Sequence, residues 1–181
     1  GYDSRVILQR VVERFKKLGL TPVCAPELEF YLLPEDRQPD GTPRIPPTRA
    51  NGTLNLGGQL LSTEVMQEQA VLLHEMRAAC ELMKLPLEGL VKELAPAQYE
   101  LNLEHVDDPM LAADHAQMLK QTLKSVARNH HLIATFMAKP FGDRDGNGFH
   151  WHISVLDSKG KNIFDDGTER GSDMMRHAVA G

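Results

Sequence analysis

Glutamate and histidine residues occur in pairs in three short segments of the chain. The segments are 26–30 (PELEF), 93–100 (ELAPAQYE) and 146–152 (GNGFHWH), which together hold four carboxylates and two imidazoles. These are enough ligands for more than one divalent ion, and oxygen-rich ligation favours Mg²⁺ or Mn²⁺ over zinc. Two such ions commonly hold the phosphates of a nucleotide, so the pattern indicates a metal-dependent phosphoryl-transfer or hydrolytic site.

The first segment is predicted to be a strand with both carboxylates on one face. Side chains two residues apart share a face of a strand, so Glu27 and Glu29 point one way while Leu28 and Phe30 point into a core. Two adjacent carboxylates repel, and a cation between them would remove the conflict. The alternative is an acidic strand face that simply meets solvent.

The second segment is predicted to be a hairpin. A two-residue turn at Pro96-Ala97 would place Glu93 directly opposite Glu100, on a face that Asn102 and Glu104 continue. Like charges in that position destabilise a hairpin unless something neutralises them. A solvated polar face is again the alternative.

The third segment is predicted to be a strand preceded by a glycine-rich loop. His150, His152 and Ser154 share one face, and imidazole is a good ligand for divalent ions. The glycines between Gly142 and Gly148 would let the backbone approach a bound ligand closely. A hydrogen-bonded pair of core histidines is the alternative.

Helices and strands then have to position these segments. Apolar periodicity and capping residues predict helices over 4–18, 62–84 and 109–129, and a further helix from Ser172. Strands are predicted over 22–33, 90–95, 98–105, 132–138 and 149–156, with a hairpin turn at 157–160 and a long loop over 34–60 that could contact a neighbouring subunit or stay disordered. Strands linked mostly by hairpins indicate an α+β fold with a mostly antiparallel sheet and flanking helices.

Composition excludes several classes of function. The chain has 181 residues, 41% of them hydrophobic, and a net charge of −5. Nucleic-acid and membrane-surface partners need a basic patch, and no apolar run reaches the length of a membrane span. Cys24 and Cys80 have no metal-binding or disulfide spacing, so we expect buried reduced thiols and a cytoplasmic location. No signal peptide is visible, although the first residue is glycine.

In order and spacing, these segments resemble the catalytic domain of the glutamine synthetase family. Segment 26–30 resembles the family's strand with two metal-binding glutamates, and segment 93–100 resembles its paired glutamates around Ala-Pro-x-Gln. Lys139-Pro140 followed by segment 146–152 resembles its ATP-site signature. Residues 93–105 and 136–140 look closest to γ-glutamylputrescine (γ-glutamylpolyamine) synthetases, which join a primary amine rather than ammonia to glutamate.

The resemblance implies a role for each matching residue. One metal would be held by Glu29, Glu93 and Glu100. A second metal, bridging the ATP phosphates, would be held by Glu27 and His150 and would have no third protein ligand. Gly146 would face the amino-acid substrate, and the nucleotide would be lined by His152 and Ser154.

The resemblance also implies a reaction, substrates and an assembly. ATP would phosphorylate the γ-carboxylate of glutamate, and ammonia or an amine would then attack the acyl phosphate. Residues 1–181 would be the N-terminal portion of a catalytic domain that is incomplete at the C-terminus, without the family's N-terminal β-domain. We therefore expect the isolated chain to be inactive, assign it no catalytic residue, and expect a homo-oligomer, as a dodecamer, for the full-length protein.

One departure from the family pattern bears on substrate choice. The family loop commonly reads Asn-Gly-Ser-Gly, whereas this chain has Asp145-Gly146-Asn147-Gly148. An aspartate at that place would repel a substrate carboxylate and attract an ammonium group. Two other functions stay open at this point: a non-catalytic structural relative of the family, and a metal-dependent hydrolase that uses the His-x-His pair.

Overall fold

The computed structural model describes residues 3–46, 49–50, 53–54 and 58–181. The elements, in chain order, are α1 (Ser4–Lys17), β1 (Thr21–Pro34), β2 (Arg49–Ala50), β3 (Thr53–Leu54), α2 (Thr63–Glu68), α3 (Ala70–Leu82), β4 (Leu87–Lys92), β5 (Gln98–Leu103), α4 (Pro109–Asn129), β6 (Leu132–Thr135), β7 (Phe149–Leu156) and α5 (Asp173–Ala180). No helix in the described ranges is both long enough and apolar enough to cross a membrane.

The main sheet has five strands and is built around β1. Its order is β4-β5-β1-β6, and β7 also pairs with β1. The β4–β5, β5–β1 and β1–β6 pairs are all antiparallel. The predicted α+β fold with a mostly antiparallel sheet and flanking helices is therefore confirmed.

The larger of two compact units comprises residues 27–104 and 115–150 and contains the main hydrophobic core. Leu28 and Phe30 are 1% and 0% exposed, as the alternation along β1 predicts. They pack in one cluster with apolar side chains of α3, β5 and α4. Burial of each such side chain contributes about 1.5–3 kcal/mol, so this core fixes which face of β1 is left for polar residues.

The smaller unit comprises residues 1–26, 105–114 and 151–181. Asp3 caps α1 by accepting a hydrogen bond from the Arg5 amide at 2.9 Å, so the cap is one residue earlier than the predicted Ser4. Ser172 caps α5 as predicted. The predicted turn at 157–160 is also present, with the Gly160 amide donating to the Asp157 carbonyl at 2.9 Å.

Several predicted boundaries were wrong. The helix predicted over 62–84 is divided at Gln69 into α2 and α3, because Gln69 has φ −102° and ψ 11°, outside helical geometry. The strand predicted over 90–95 is β4, which ends at Lys92 because the chain turns away there. The predicted 34–60 loop contains the short strands β2 and β3, and its positions 47–48, 51–52 and 55–57 lie outside the described residues.

Both cysteines are buried and form no disulfide, as expected. Burial raises the pKa of the Cys80 thiol to about 11, so this thiol stays protonated at neutral pH.

Candidate functional site

Strands β1 and β5 bring two of the predicted metal ligands face to face. In the antiparallel register Glu29 pairs directly with Glu100, and Glu27 pairs with Asn102. Directly opposed residues share a face of the sheet, so these side chains all lie on the side opposite Leu28 and Phe30. The core on the other face therefore determines where the carboxylates gather.

The predicted pairing of Glu93 with Glu100 was wrong by two residues in the β4–β5 register. Val91 is the residue opposite Glu100, and the Glu93 amide donates to the Gln98 carbonyl at 3.0 Å. The connection is longer than the predicted two-residue turn, and Ala97 within it has φ 61°. Glu93 nevertheless stays on the same face as Glu100, as its diagonal neighbour.

A buried lysine stabilises this irregular turn. The side chain of Lys92 is 1% exposed, and its ammonium donates to the carbonyls of Glu93 and Ala95, both at 2.7 Å. Burial lowers the pKa of Lys92 to about 8, and the neighbouring Glu93 opposes that shift. The ammonium thus replaces the ladder hydrogen bonds that the chain gives up after β4.

The carboxylates and one imidazole form two overlapping groups of potential ligand atoms. Glu29, Glu93 and Glu100 each offer an oxygen, and these atoms all lie within 4.8 Å of one another. Glu27, Glu100 and His150 form a second group with the same limit, and the Nδ1 atom of His150 lies 3.6 Å from a Glu27 oxygen. Glu100 belongs to both groups, so the second group has a third candidate ligand that the family resemblance did not imply.

The electrostatics of the site suit a cation. Burial, followed by the nearby Glu29 carboxylate, raises the pKa of Glu93. Burial also raises the pKa of Glu100, reinforced by Glu27 and Glu93 and opposed by a hydrogen bond from Asn102. Four carboxylates and one imidazole match the hard, oxygen-rich ligand set of Mg²⁺ or Mn²⁺, and a cation would relieve their mutual repulsion.

Two glycines of the loop at residues 142–148, called the glycine loop below, are required by close packing. A Cβ atom on Gly148 would lie 2.6 Å from Glu29 Oε1 and 2.8 Å from His150 Cε1. A Cβ atom on Gly146 would lie 2.6 Å from the Ala138 carbonyl oxygen. The backbone therefore approaches the candidate ligands themselves, whereas the sequence had suggested approach to a bound ligand.

The glycine loop is fastened to the sheet through its carbonyl groups. The Tyr31 hydroxyl donates to the Asp145 carbonyl at 2.7 Å, and Gln98 Nε2 donates to the Gly146 carbonyl at 2.8 Å. Lys139 also donates to the Arg144 carbonyl. Sequence reasoning missed Tyr31, Gln98 and Lys92, although Gln98 shares the strand parity of Glu100 and could have been found by that signal.

A cleft of about 550 Å³ lies beside the glycine loop. Asp145, the residue that departs from the family pattern, lines it together with Asp143, Arg144 and Lys139. The turn that contains Leu94 and Pro96 also lines the cleft. The cleft thus combines charges of both signs with an apolar wall, which suits a small zwitterionic or cationic molecule.

The two residues expected to line a nucleotide belong to the smaller unit. The His152 ring is exposed and lies 6.2 Å from the His105 ring, centroid to centroid, in an edge-on arrangement. Ser154 is partly buried on the same strand. Their part in nucleotide binding stays a prediction.

The chain is similar to known proteins in both sequence and structure. The family model for the glutamine synthetase catalytic domain matches residues 1–181. The γ-glutamylputrescine synthetase PuuA of Escherichia coli is 36% identical over 181 residues, which is 99% of this chain and 38% of that protein. The glutamine synthetase of Thermotoga maritima is 32% identical over 182 residues, 99% of this chain and 39% of that protein.

The fold of this chain is also similar to the folds of solved structures. GmaS in complex with ADP superimposes with a TM-score of 0.79 at 29% identity, covering 96% of this chain and 38% of that one. Plasmodium falciparum glutamine synthetase, at 22% identity and a TM-score of 0.72 over 93% of this chain and 37% of that one, supports the fold alone. The chain thus spans less than two fifths of the relatives it matches, and it belongs to the glutamine synthetase family, whose catalytic domain its residues represent.

Proposed function

We propose that the whole protein is an ATP- and Mg²⁺- or Mn²⁺-dependent ligase that joins ammonia or a primary amine to the γ-carboxyl group of glutamate. The observation that carries the proposal is the pair of overlapping ligand groups that share Glu100. The proposal concerns the whole protein because the chain spans 38% of its γ-glutamylputrescine synthetase relative.

The proposed reaction has two steps. The γ-phosphoryl group of ATP passes to the glutamate γ-carboxylate, and the amine nitrogen then displaces phosphate from the acyl phosphate. Bound divalent cations would neutralise the negative charge of the reacting phosphoryl and carboxylate groups. The chain's own contribution is to hold the ligand oxygens on one rigid sheet face, where they need little reorganisation.

Each ligand group would hold one cation. Glu29, Glu93 and Glu100 would bind the cation nearer the acceptor carboxylate. Glu27 and His150, together with Glu100, would bind the cation nearer the ATP phosphates. The assignment to these two roles follows the family resemblance, and the proximity of the ligand atoms supports it.

Other residues would bind the substrates. Gly146 would face the amino acid through its backbone, and the carboxylate of Asp145 would attract an ammonium group. His152 and Ser154 would contact the nucleotide. A polyamine acceptor is favoured because the putrescine-type relative is 36% identical, against 32% for the glutamine synthetase of Thermotoga maritima. Family membership also supports a homo-oligomer, and we propose a dodecamer.

The metal site can be tested directly by calorimetric titration of Mn²⁺. We expect saturable binding by the wild type and at least a tenfold loss of affinity in Glu29→Ala and in Glu100→Ala, since ligand removal takes a charged donor from the site. Glu88→Ala, which removes an exposed carboxylate from β4, is the matched control and should bind normally. Equal affinity in all variants would rule out these ligands.

The reaction can be tested by measuring ADP release from ATP by the whole protein with glutamate and a panel of amines. Putrescine or a related diamine should give the highest kcat/KM, and mass spectrometry should detect the γ-glutamyl amide. Glutamine formed from ammonia at higher efficiency would instead identify a glutamine synthetase proper. Absence of turnover with every amine and ammonia, despite Mn²⁺ binding, would favour a non-catalytic relative.

A further inference from the structure

Gln98 connects the candidate metal site with the glycine loop. It is 1% exposed, and its Nε2 atom lies 3.0 Å from Glu29 Oε2, 2.8 Å from the Gly146 carbonyl and 3.2 Å from Asn147 Oδ1. One buried amide nitrogen therefore contacts both a candidate metal ligand and two consecutive loop residues.

The orientation of this amide is fixed by its neighbours. All three atoms around Nε2 are hydrogen-bond acceptors, because Asn147 Nδ2 already donates to the carbonyls of Thr135 and Met137. A flipped amide would direct its own oxygen at three acceptors. Gln98 Oε1 is buried and accepts no hydrogen bond from the described residues, which costs free energy. The side chain thus keeps an unfavourable acceptor in order to present its donors.

The neutral charge of Gln98 matters for cation binding. A lysine or arginine in this position would also donate to Glu29, but its positive charge would compete with a metal ion for the carboxylate. The amide orients Glu29 Oε2 without neutralising it. Donors behind a metal ligand fix its rotamer and strengthen metal affinity in this way.

The glycine loop also packs closely against the other carboxylate oxygen of Glu29. Gly148 leaves no space for a side chain beside Glu29 Oε1, and the Glu29 amide donates to the Gly148 carbonyl at 3.1 Å. A change in the position of the Glu29 carboxylate would therefore be transmitted to Gly146 through Gln98 and to Gly148 by direct packing. Gln98 is the polar part of that connection.

We propose that Gln98 is a positioning residue that couples occupancy of the metal site to the conformation of the glycine loop, so that metal binding orders the surface that meets the amino-acid substrate. This inference rests on the proposed metal site. It goes beyond that site in predicting that a residue which binds neither metal nor substrate links the two.

The test compares Gln98→Met with the wild type. Methionine has a similar volume and no donor, so the metal-free variant should remain folded. We expect Mn²⁺ affinity, measured by calorimetry, to fall about tenfold or more. In hydrogen exchange, Mn²⁺ should protect the Asn147 amide, which donates to the Ala138 carbonyl at 2.9 Å, in the wild type but not in the variant.

Two further variants make the result specific. Gln98→Glu keeps the shape and cannot donate to Gly146 when ionised, so it should also lose Mn²⁺-dependent protection of the loop. Tyr31→Phe removes a different loop anchor, at Asp145, and leaves the Gln98 contacts to Glu29 and Gly146 in place. Mn²⁺ should therefore still protect the Asn147 amide in this variant.

The outcomes separate the two proposals. Wild-type binding with unchanged affinity and unchanged loop protection in Gln98→Met and Gln98→Glu would overturn the coupling and leave the metal site standing. Failure of the wild type to bind Mn²⁺ would overturn both. Loss of affinity and of loop protection in Gln98→Met, with Mn²⁺-dependent protection of the Asn147 amide retained in Tyr31→Phe, would establish the coupling.

Discussion

Glu29 and Glu100 stand directly opposite each other across the β1–β5 pair, and each is partly buried. Like charges in opposed positions of a sheet destabilise it, and partial burial strengthens their interaction. The chain places Glu93 and Glu27 around the same pair. The opposed carboxylates therefore destabilise this part of the sheet when no metal is bound. Such local destabilisation is expected at a preformed cation site.

Neutralising Glu100 should stabilise the metal-free protein and abolish its response to metal. For Glu100→Gln we expect the free energy of unfolding to rise by about 0.2–1 kcal/mol, because one opposed charge is removed. Calorimetric unfolding scans with and without MnCl₂ would measure both effects, with Glu88→Gln as the control. A lower metal-free Tm combined with an intact Mn²⁺-induced increase would contradict the prediction.

Adding one methyl group at Gly148 should damage the candidate site. The new Cβ would lie 2.6 Å from Glu29 Oε1, so the carboxylate or the loop must move. We expect Gly148→Ala to destabilise the protein by about 1–3 kcal/mol and to weaken Mn²⁺ binding. Gly142→Ala is the matched control, because a Cβ there meets nothing within 4 Å. Equal behaviour of the two variants in urea unfolding and Mn²⁺ titration would refute the steric argument.

Replacing Lys92 should destabilise the turn that contains Glu93. Lys92→Met leaves the Glu93 carbonyl without its ammonium donor. We therefore expect the free energy of unfolding, measured in urea, to fall by about 1–3 kcal/mol. Mn²⁺ affinity should fall as well, because Glu93 follows the altered backbone. Lys16→Met, at an exposed position of α1, should change neither quantity. A more stable Lys92→Met variant would mean that desolvation of the ammonium outweighs its hydrogen bonds.

Stability should depend on pH in opposite directions with and without metal. The raised pKa values of Glu93 and Glu100 mean that the fold disfavours their ionised forms. Without metal, these two groups stabilise the fold below the ordinary glutamate pKa of about 4.3, and this contribution is lost as pH rises through their raised pKa values.

With metal bound, protons and cations compete for the same oxygens. Mn²⁺ affinity should therefore fall as pH decreases through that range, by up to about tenfold per pH unit for each carboxylate that must lose its proton. Unfolding scans from about pH 4 to about pH 8 in EDTA and in MnCl₂ would test this. The difference between wild type and Glu100→Gln isolates the contribution of this group, and parallel slopes in the two buffers would contradict the prediction.

Exchanging Asp145 for asparagine should change substrate preference in the whole protein. If Asp145 attracts the ammonium group of a substrate, Asp145→Asn should raise the KM for a diamine by about tenfold, the equivalent of one lost ionic contact. Initial rates of ADP release would measure this. Asp143→Asn neutralises a neighbouring carboxylate of the same cleft and serves as the control. An unchanged KM in Asp145→Asn would remove Asp145 from substrate binding.

Much of the site could be predicted because strand geometry is local. Side chains alternate with a period of two, so the sequence alone placed Glu27 with Glu29 and assigned Leu28 and Phe30 to the core, where both are almost fully buried. The same local regularity explains the success with the turn at 157–160 and the cap at Ser172. Ordered segments of this kind were also enough to identify the family.

Only the tertiary structure decided which ligands meet. The register between β1 and β5 joins residues about 70 positions apart, so no local pattern could place Glu29 opposite Glu100 or give Glu100 to both ligand groups. The prediction of the hairpin register was wrong for a related reason. Lys92 stabilises an irregular turn, and the hydrogen bonds of its ammonium group depend on burial. Gln98 acquires its role only once the glycine loop packs against β5. The sequence alone thus determines the residue types and the strand face on which each side chain lies. Which candidate ligands are shared, and which groups orient them, depends on long-range strand pairing.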